Sequence, residues 1–287
     1  MVTLPERMTP PQTGAMNIFA SLLEARTGQQ ISANRTWRIE TALKPLLRAR
    51  QLPSFDALVG ALLTDKDHKL RDAIVDALLN QESSFYRDAH ALESIVCAVA
   101  ALHAGGMTRR ARIWCAACST GQEPLSLAMM FTDKARSAGF PEPEIVATDV
   151  SEAALAKARA GRYSQFEVQR GLPVRQMIEW FEPVEADWVA KPELLAKISF
   201  QRHNLVSHDL PLGRFDAILC RNVLIYLSAP LRRHVFGLIA RAIRADGVLL
   251  LGAGETVMGQ TDSFGPSPLY RGLYRPVLAT MPLHATG

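Results

Sequence analysis

Arg112-Ile113-Trp114-Cys115-Ala116-Ala117-Cys118-Ser119-Thr120-Gly121-Gln122-Glu123-Pro124-Leu125-Ser126-Leu127-Ala128-Met129-Met130 is the stretch that decides the fold. An apolar strand breaks into a turn of small residues, and the turn opens directly into a helix, which is the build of a nucleotide-type pocket. Small residues at 116–121 let backbone approach a ligand closely, while Pro124 in the first helical turn and Glu123 beside it set a carboxylate at the pocket mouth. Phosphate-binding loops of similar build carry several glycines and often a lysine there. This loop has one glycine and an acid, so it suits a cationic ligand group rather than a pyrophosphate.

Further along, Ile145-Val146-Ala147-Thr148-Asp149 reads as a second strand ending in an acid, and Ser151 precedes a helical run over 153–160. An acid at that strand end accepts hydrogen bonds from ribose hydroxyls in this architecture. One carboxylate for an amino group and one for a ribose together describe S-adenosylmethionine. Taken singly, a buried structural Asp or a helix-capping Glu explains each signal.

The same chain carries Gln81-Glu82-Ser83-Ser84-Phe85-Tyr86-Arg87, then the loop, then Ala147-Thr148-Asp149, then Cys220-Arg221-Asn222-Val223-Leu224-Ile225-Tyr226. In that order and spacing it resembles the chemotaxis receptor methyltransferases, the CheR family, over residues 15–275 or so. Gln81, Ser83 and Gln122 stand where that family usually has Asn, Thr and Glu, and Gly252-Ala253-Gly254-Glu255 where it has Gly-His-Ser-Glu. Ser for Thr keeps the hydroxyl and Gln for Asn keeps the amide.

The resemblance implies an enzyme that moves a methyl group from S-adenosylmethionine to receptor glutamates and releases S-adenosylhomocysteine. It places Gln81, Ser83, Arg87, Gly121, Glu123, Asp149, Asn204, Leu205, Asn222 and Val223 around the cofactor, with Glu123 on its amino group, Asp149 on the ribose and Asn204-Leu205 on the adenine. Arg87 and Tyr226 become the catalytic candidates, because a guanidinium fork and a phenol can position an incoming carboxylate. A surface salt bridge for Arg87 and a buried strand-end aromatic for Tyr226 are the plain alternatives.

Alternating strand and helix signals after residue 110 predict an α/β, doubly wound, Rossmann-like sheet. Phe215-Asp216-Ala217-Ile218-Leu219-Cys220 is its fourth strand, a helix follows Ala229-Pro230, and 247–252 returns as the fifth. Aromatic alternation at 269–274 suits closing antiparallel strands. The pattern weakens over about 164–203, where the resemblance implies a small β-subdomain. Some relatives grip a receptor's C-terminal pentapeptide there through a glycine-containing loop; residues 182–199 contain no glycine, and the segment is short for such a loop.

Ahead of the methyltransferase domain at 80–287, residues 1–14 are expected to be frayed and 15–79 to form an all-helical domain. Its stripes are Ile18, Phe19, Leu22 and Leu23, ending at Gly28; Phe55, Leu58, Leu62 and Leu63 behind a Ser54 cap; and Leu70, Ile74, Ala77 and Leu78. Segment 33–50 sets Arg35, Arg38, Lys44, Arg48 and Arg50 against one acid, Glu40, an excess equal to the chain's whole net charge of +4. Ile39, Ala42, Leu43, Leu46 and Leu47 share the opposite helical face, and Pro45 should kink or split the helix on its polar side. A solvated face is the ordinary reading of such a run. Within the resemblance, Arg35, Arg38, Lys44 and Arg48 become a docking face for the acidic cytoplasmic helical bundle of a chemotaxis receptor.

With 287 residues and 48% apolar content, the chain can bury one large core and a small second one. No apolar run reaches the ~18–20 residues of a membrane span, and the N-terminus lacks a secretory signal, so a cytoplasmic enzyme without membrane insertion is the expectation, and a monomer is expected. Cys97, Cys115, Cys118 and Cys220 are too scattered for a disulfide framework, and no histidine or cysteine spacing suggests a metal. A nucleic-acid methyltransferase should interleave aromatics with its charges and carry a Pro-Cys or Asn/Asp-Pro-Pro-Tyr motif, which are missing, so no nucleic-acid partner is expected. A methyltransferase for another protein or a nucleic acid, or a signalling module that binds the cofactor without catalysis, are the alternatives.

Overall fold

The structure, a computed structural model, describes residues 13–32, 35–64, 69–209 and 213–277. The frayed segment expected at 1–14 lies outside them up to residue 12, and Thr13 already begins a helix. The chain divides into two compact units, Met1–Asn80 and Gln81–Gly287.

The first unit contains α1 (Thr13–Thr27), α2 (Thr36–Ala49), α3 (Phe55–Thr64) and α4 (Lys69–Leu78). Its core is Met16, Phe19, Leu23, Ile39, Leu43, Leu58, Leu62, Leu70, Ile74 and Leu78, drawn from all four helices at three- and four-residue steps. Two residues of the expected stripes point elsewhere: Ile18 is 45% exposed and Leu63 80% exposed. Their neighbours Phe19 and Leu62 already fill the inward face, and adjacent helical residues diverge by about 100°. Ser54 caps α3, accepting a hydrogen bond from the Ala57 N–H at 3.1 Å. α2 runs through Pro45 without splitting, since Pro45 is exposed and water can satisfy the carbonyl it frees.

The second unit holds α5 (Ala89–Ala104), β1 (Arg112–Ala116), α6 (Gln122–Ala138), β2 (Glu144–Asp149), α7 (Glu152–Ala160), β3 (Arg162–Ser164), α8 (Gln165–Gln169) and α9 (Val174–Trp180). It continues with β4 (Phe181–Val184), β5 (Asp187–Ala190), α10 (Pro192–Leu195), β6 (Ile198–Arg202), β7 (Phe215–Cys220), α11 (Ala229–Ala242), β8 (Ile243–Leu251), β9 (Phe264–Pro266) and β10 (Leu273–Pro276).

Seven strands form one sheet in the order β6-β2-β1-β7-β8-β10-β9. The first five are parallel, and β10 closes antiparallel to both β8 and β9. Numbered along the chain, the parallel strands run 3-2-1-4-5, so the order reverses between β1 and β7. Loops leaving the carboxyl ends of these two strands diverge and leave a crevice, the usual ligand site of an open parallel sheet.

Both sheet faces are covered, which is why the strands read as unbroken apolar runs. Ile113 and Cys115 of β1 pack on one side with α5 and α6, while Trp114 and Ala116 pack on the other with α11. β3, β5 and β4 form a separate three-stranded antiparallel sheet. The β-subdomain expected over 164–203 is therefore shorter at its far end: Ile198–Arg202 is an edge strand of the main sheet, in parallel register with β2. Its apolar content is low because an edge strand exposes part of each face, so it lacks the signal of the central strands.

Candidate active site

The loop after β1 is built from backbone that most residues avoid. Ala117, Ser119 and Gly121 all have positive φ, at 57°, 52° and 92°. Such geometry costs about 1 kcal/mol or more per non-glycine residue and persists only where its surroundings fix it. Here the Ser119 N–H donates to Asp149 Oδ2 at 2.8 Å, and the Ser119 hydroxyl donates to the Gln81 side-chain carbonyl at 2.8 Å and to the Gln81 backbone carbonyl at 3.0 Å. Gly121 is required by packing: a Cβ there would lie 2.8 Å from Ala158 Cβ and 3.1 Å from the Tyr163 hydroxyl. Its small size brings the loop against α7 and β3, rather than simply clearing room for a ligand.

Asp149 ends β2 and is buried. Besides holding Ser119, it accepts from the Ser151 N–H at 2.9 Å, and Ser151 caps α7 through the Ala154 N–H. The His203 N–H donates to the Asp149 carbonyl at 2.9 Å, which sets Asn204 and Leu205 beside the same strand end. Leu205 and Val223 are buried in one apolar cluster with Ala116 and form an apolar wall next to the crevice.

Glu123, in the first turn of α6, is 14% exposed. Burial pushes its carboxyl above the ordinary range; the charge and hydrogen bond of Arg221, and more weakly the charge of Arg87, pull it back. Its Oε2 accepts from Arg221 Nη1 at 2.8 Å, while Oε1 has no partner among the described residues. A largely buried acid with one free oxygen, beside a strand-end acid and an apolar wall, fits the amino group, ribose and base of S-adenosylmethionine.

Arg87 lies in a turn whose neighbours Tyr86 and Asp88 have φ of 50° and 55°. The Tyr86 N–H is held by the Ser126 hydroxyl at 2.9 Å, and Arg87 Nη1 donates to the Glu82 carbonyl at 3.3 Å. Ser83 is partly buried and makes no hydrogen bond among the described residues. After β7, Asn222 takes a φ of 57°, and its N–H donates to Glu255 Oε2, which also receives the Gly252 N–H. A Cβ at Gly252 would sit 2.6 Å from the Asn222 amide nitrogen, so the tight seat of Asn222 demands glycine there. Tyr226 is partly buried in the short 3-10 turn Leu224–Tyr226 that follows.

Gln81 and Asp149 are thus tied together through Ser119, Glu123 and the Arg87 carbonyl through Arg221, and Leu205 and Val223 through one apolar cluster, while Asn204 follows the bond from His203 to Asp149 and Asn222 is held by Glu255. Sequence reasoning assigned no role to Arg221, Asp88 or Glu255. Arg221 and Glu255 lie inside the motifs at 220–226 and 252–255, and the available signal for Arg221 was a charged residue directly after the apolar run 217–220. The cysteines are free, and burial drives the thiols of Cys115, Cys118 and Cys220 well up from their usual range. Among the described residues no group of His, Cys, Asp or Glu could hold a metal ion, and no helix is long and apolar enough to cross a membrane.

Comparison with known proteins identifies the family. Residues 81–272 match the CheR methyltransferase, SAM binding domain family. A chemotaxis protein methyltransferase of Vibrio anguillarum is 34% identical over 86% of this chain and 90% of its own length. Chemotaxis protein methyltransferase 1 of Pseudomonas aeruginosa is 32% identical over 88% of this chain and 96% of its own. A solved TehB-like SAM-dependent methyltransferase from Corynebacterium glutamicum aligns at 15% identity with a TM-score of 0.37, over 63% of this chain and 88% of that one, too distant a likeness to speak to residues or substrate. With a family match over residues 81–272 and relatives 32–34% identical along most of its length, this chain belongs to the CheR family of methyltransferases and uses S-adenosylmethionine.

Proposed function

We propose that the protein methylates glutamate side chains of chemotaxis receptors, forming γ-methyl esters, and that the pairing of the largely buried Glu123 with Arg221, which also holds the backbone carbonyl of Arg87, is the observation that carries this reading. When bound, S-adenosylmethionine supplies an electrophilic methyl group on a sulfonium. A glutamate carboxylate is already ionised at pH 7, its ordinary pKa being about 4.3, so the site needs no general base. What it must do is align the carboxylate, and alignment alone can supply several kcal/mol. In this scheme Arg87 grips the incoming carboxylate, Tyr226 donates a further hydrogen bond, and Glu123 and Asp149 fix the amino and ribose ends. Gln81 and Ser119 keep the loop in place, and Asn204, Leu205, Asn222 and Val223 surround the base.

Receptor selection rests on α2. Lys44, Arg48 and Arg35 are exposed and Arg38 is partly exposed. On a helical wheel Lys44 and Arg48 fall in line with Trp37, which is 63% exposed, and opposite the buried Ile39 and Leu43. A tryptophan among cations offers an acidic helical bundle both charge complementarity and an apolar anchor. The test is transfer of labelled methyl groups to purified receptor as base-labile esters, which is expected to fall steeply as salt rises. Reversing Arg38 and Arg48 to Glu should impair transfer, leave cofactor affinity unchanged because its residues all fall within 81–287, and move stability by no more than about 0.5 kcal/mol. Intact transfer by the double reversal at low salt removes the docking role.

The small sheet bears on tethering. β4 and β5 are joined by a two-residue turn, Glu185-Ala186, with Val184 opposite Asp187. The exposed edge strand β4 includes Pro183, which has no N–H to offer an added strand. No measurable binding of a receptor C-terminal pentapeptide is expected, and low-micromolar affinity in a titration would contradict this.

A further inference from the structure

We propose that Arg221 is a buried positioning residue that joins the Glu123 carboxylate to the turn carrying Arg87, so that one guanidinium governs both cofactor binding and the grip on substrate. The inference rests on the assignment of Glu123 to the cofactor amino group given above.

The Arg221 side chain is 2% exposed, yet it is held from two directions. Nη1 donates to Glu123 Oε2 at 2.8 Å and to the Arg87 carbonyl at 3.2 Å, and Nη2 donates to Asp88 Oδ2. Nε is buried without a partner. Burying a cation with an N–H unmet is costly, and an apolar residue of similar size would serve packing at least as well. The arrangement makes sense as a geometric device. A lysine ammonium is a single point of donation, whereas a guanidinium fork reaches acceptors on two elements at fixed separation.

Both ends of the bridge need holding. Tyr86 and Asp88 flank Arg87 in left-handed backbone, a conformation that relaxes unless pinned. Arg221 pins it through the Asp88 carboxylate and the Arg87 carbonyl. At the other end Glu123 is buried enough to resist ionisation, and Arg221 is the strongest opposing influence. Arg221 itself stands on fixed backbone, because the following residue, Asn222, is tied to Glu255 and packed on Gly252. A cleft of about 470 Å³ lined by Asp88, Arg221, Gly252 and Tyr274 adjoins this bridge.

The pH signature follows from sign. A cationic amino group needs Glu123 ionised, so cofactor affinity falls as pH drops through the Glu123 pKa. Removing the neighbouring cation takes away the strongest influence holding that pKa down, so the loss of affinity moves toward neutral pH. Protonating Glu123 in such a variant relieves a buried charge, so its folded state gains stability below the raised pKa and loses it as pH rises through it.

Arg221→Met, Arg221→Lys and Glu123→Gln separate the possibilities. The measurements are S-adenosylhomocysteine affinity by calorimetry between about pH 5.5 and 8.5, and steady-state transfer to receptor. Arg221→Met is expected to bind about tenfold more weakly at pH 7, with affinity recovering as pH rises, and to lose kcat beyond that. Arg221→Lys should restore the pH profile, since charge is kept, but not kcat, since one ammonium cannot span both ends. It also serves if the Met variant fails to fold. A folded Arg221→Met enzyme with wild-type affinity and pH profile, while Glu123→Gln binds weakly, overturns the proposal alone, as does full recovery of kcat by Arg221→Lys. Wild-type affinity in Glu123→Gln overturns the pocket assignment and this proposal with it.

Discussion

Arg87→Ala is expected to slow methyl transfer about a hundred-fold, the scale on which misplacing a reacting group by an ångström is felt. Its stability should stay within about 0.5 kcal/mol of wild type. The side chain is partly exposed, and its one hydrogen bond is to the Glu82 carbonyl at 3.3 Å, so little folded structure depends on it. The bond from Arg221 goes to the Arg87 backbone carbonyl and survives the substitution. Because Arg87 also helps lower the Glu123 pKa, cofactor affinity should weaken slightly, by less than tenfold. Steady-state kinetics at saturating cofactor separate the two effects. Transfer at near wild-type rate makes Arg87 a surface residue.

Asp149→Ala should reduce S-adenosylhomocysteine affinity roughly ten- to a hundred-fold, from the loss of charge-assisted hydrogen bonds worth about 1.5–3 kcal/mol. The structure adds a second consequence. Asp149 accepts from the Ser119 and Ser151 N–H groups, so truncation strands two donors, loosens the loop at Ser119 and weakens the start of α7. The unfolding midpoint should fall as well, by the equivalent of about 1–3 kcal/mol. Asp149→Asn keeps an acceptor oxygen and most of the shape, and should recover more stability than affinity. An unchanged dissociation constant for the Ala variant, by calorimetry, removes Asp149 from the pocket.

Much of the framework was legible in local patterns. β1, β2 and β7 are buried on both faces and carry apolar runs, so they stand out, and β7 spans the six residues from Phe215 to Cys220 that the sequence marks as a strand. Ser151 and Ser54 announce their helices, since a capping hydroxyl acts within three residues of itself. Less legible was β6, whose edge position leaves Ser199, Gln201 and Arg202 polar. The closing strand was also placed early: β10 starts at Leu273, and Leu269 is 71% exposed. α5 buries Leu92, Ile95, Val96, Ala98 and Val99, a face too broad to give a clean stripe.

The sequence by itself determined the class of the molecule. A strand, a small-residue turn, Glu123 at a helix start and Asp149 at the next strand end are adjacent in the chain, and each signal acts over a few residues. Tertiary structure alone decided how the site is held. Arg221 meets Asp88 across 133 residues and Glu123 across 98, and Asp216 receives Arg109 across 107. Burial would raise the Asp216 carboxyl, but hydrogen bonds from Arg109 and the Arg112 N–H hold it below its usual range. No local pattern encodes such pairs, because their energy comes from low-dielectric surroundings that exist only once the sheet is assembled. For the same reason an arginine following an apolar strand looks in the sequence like a surface charge, and in the fold it is the least exposed cation of the site.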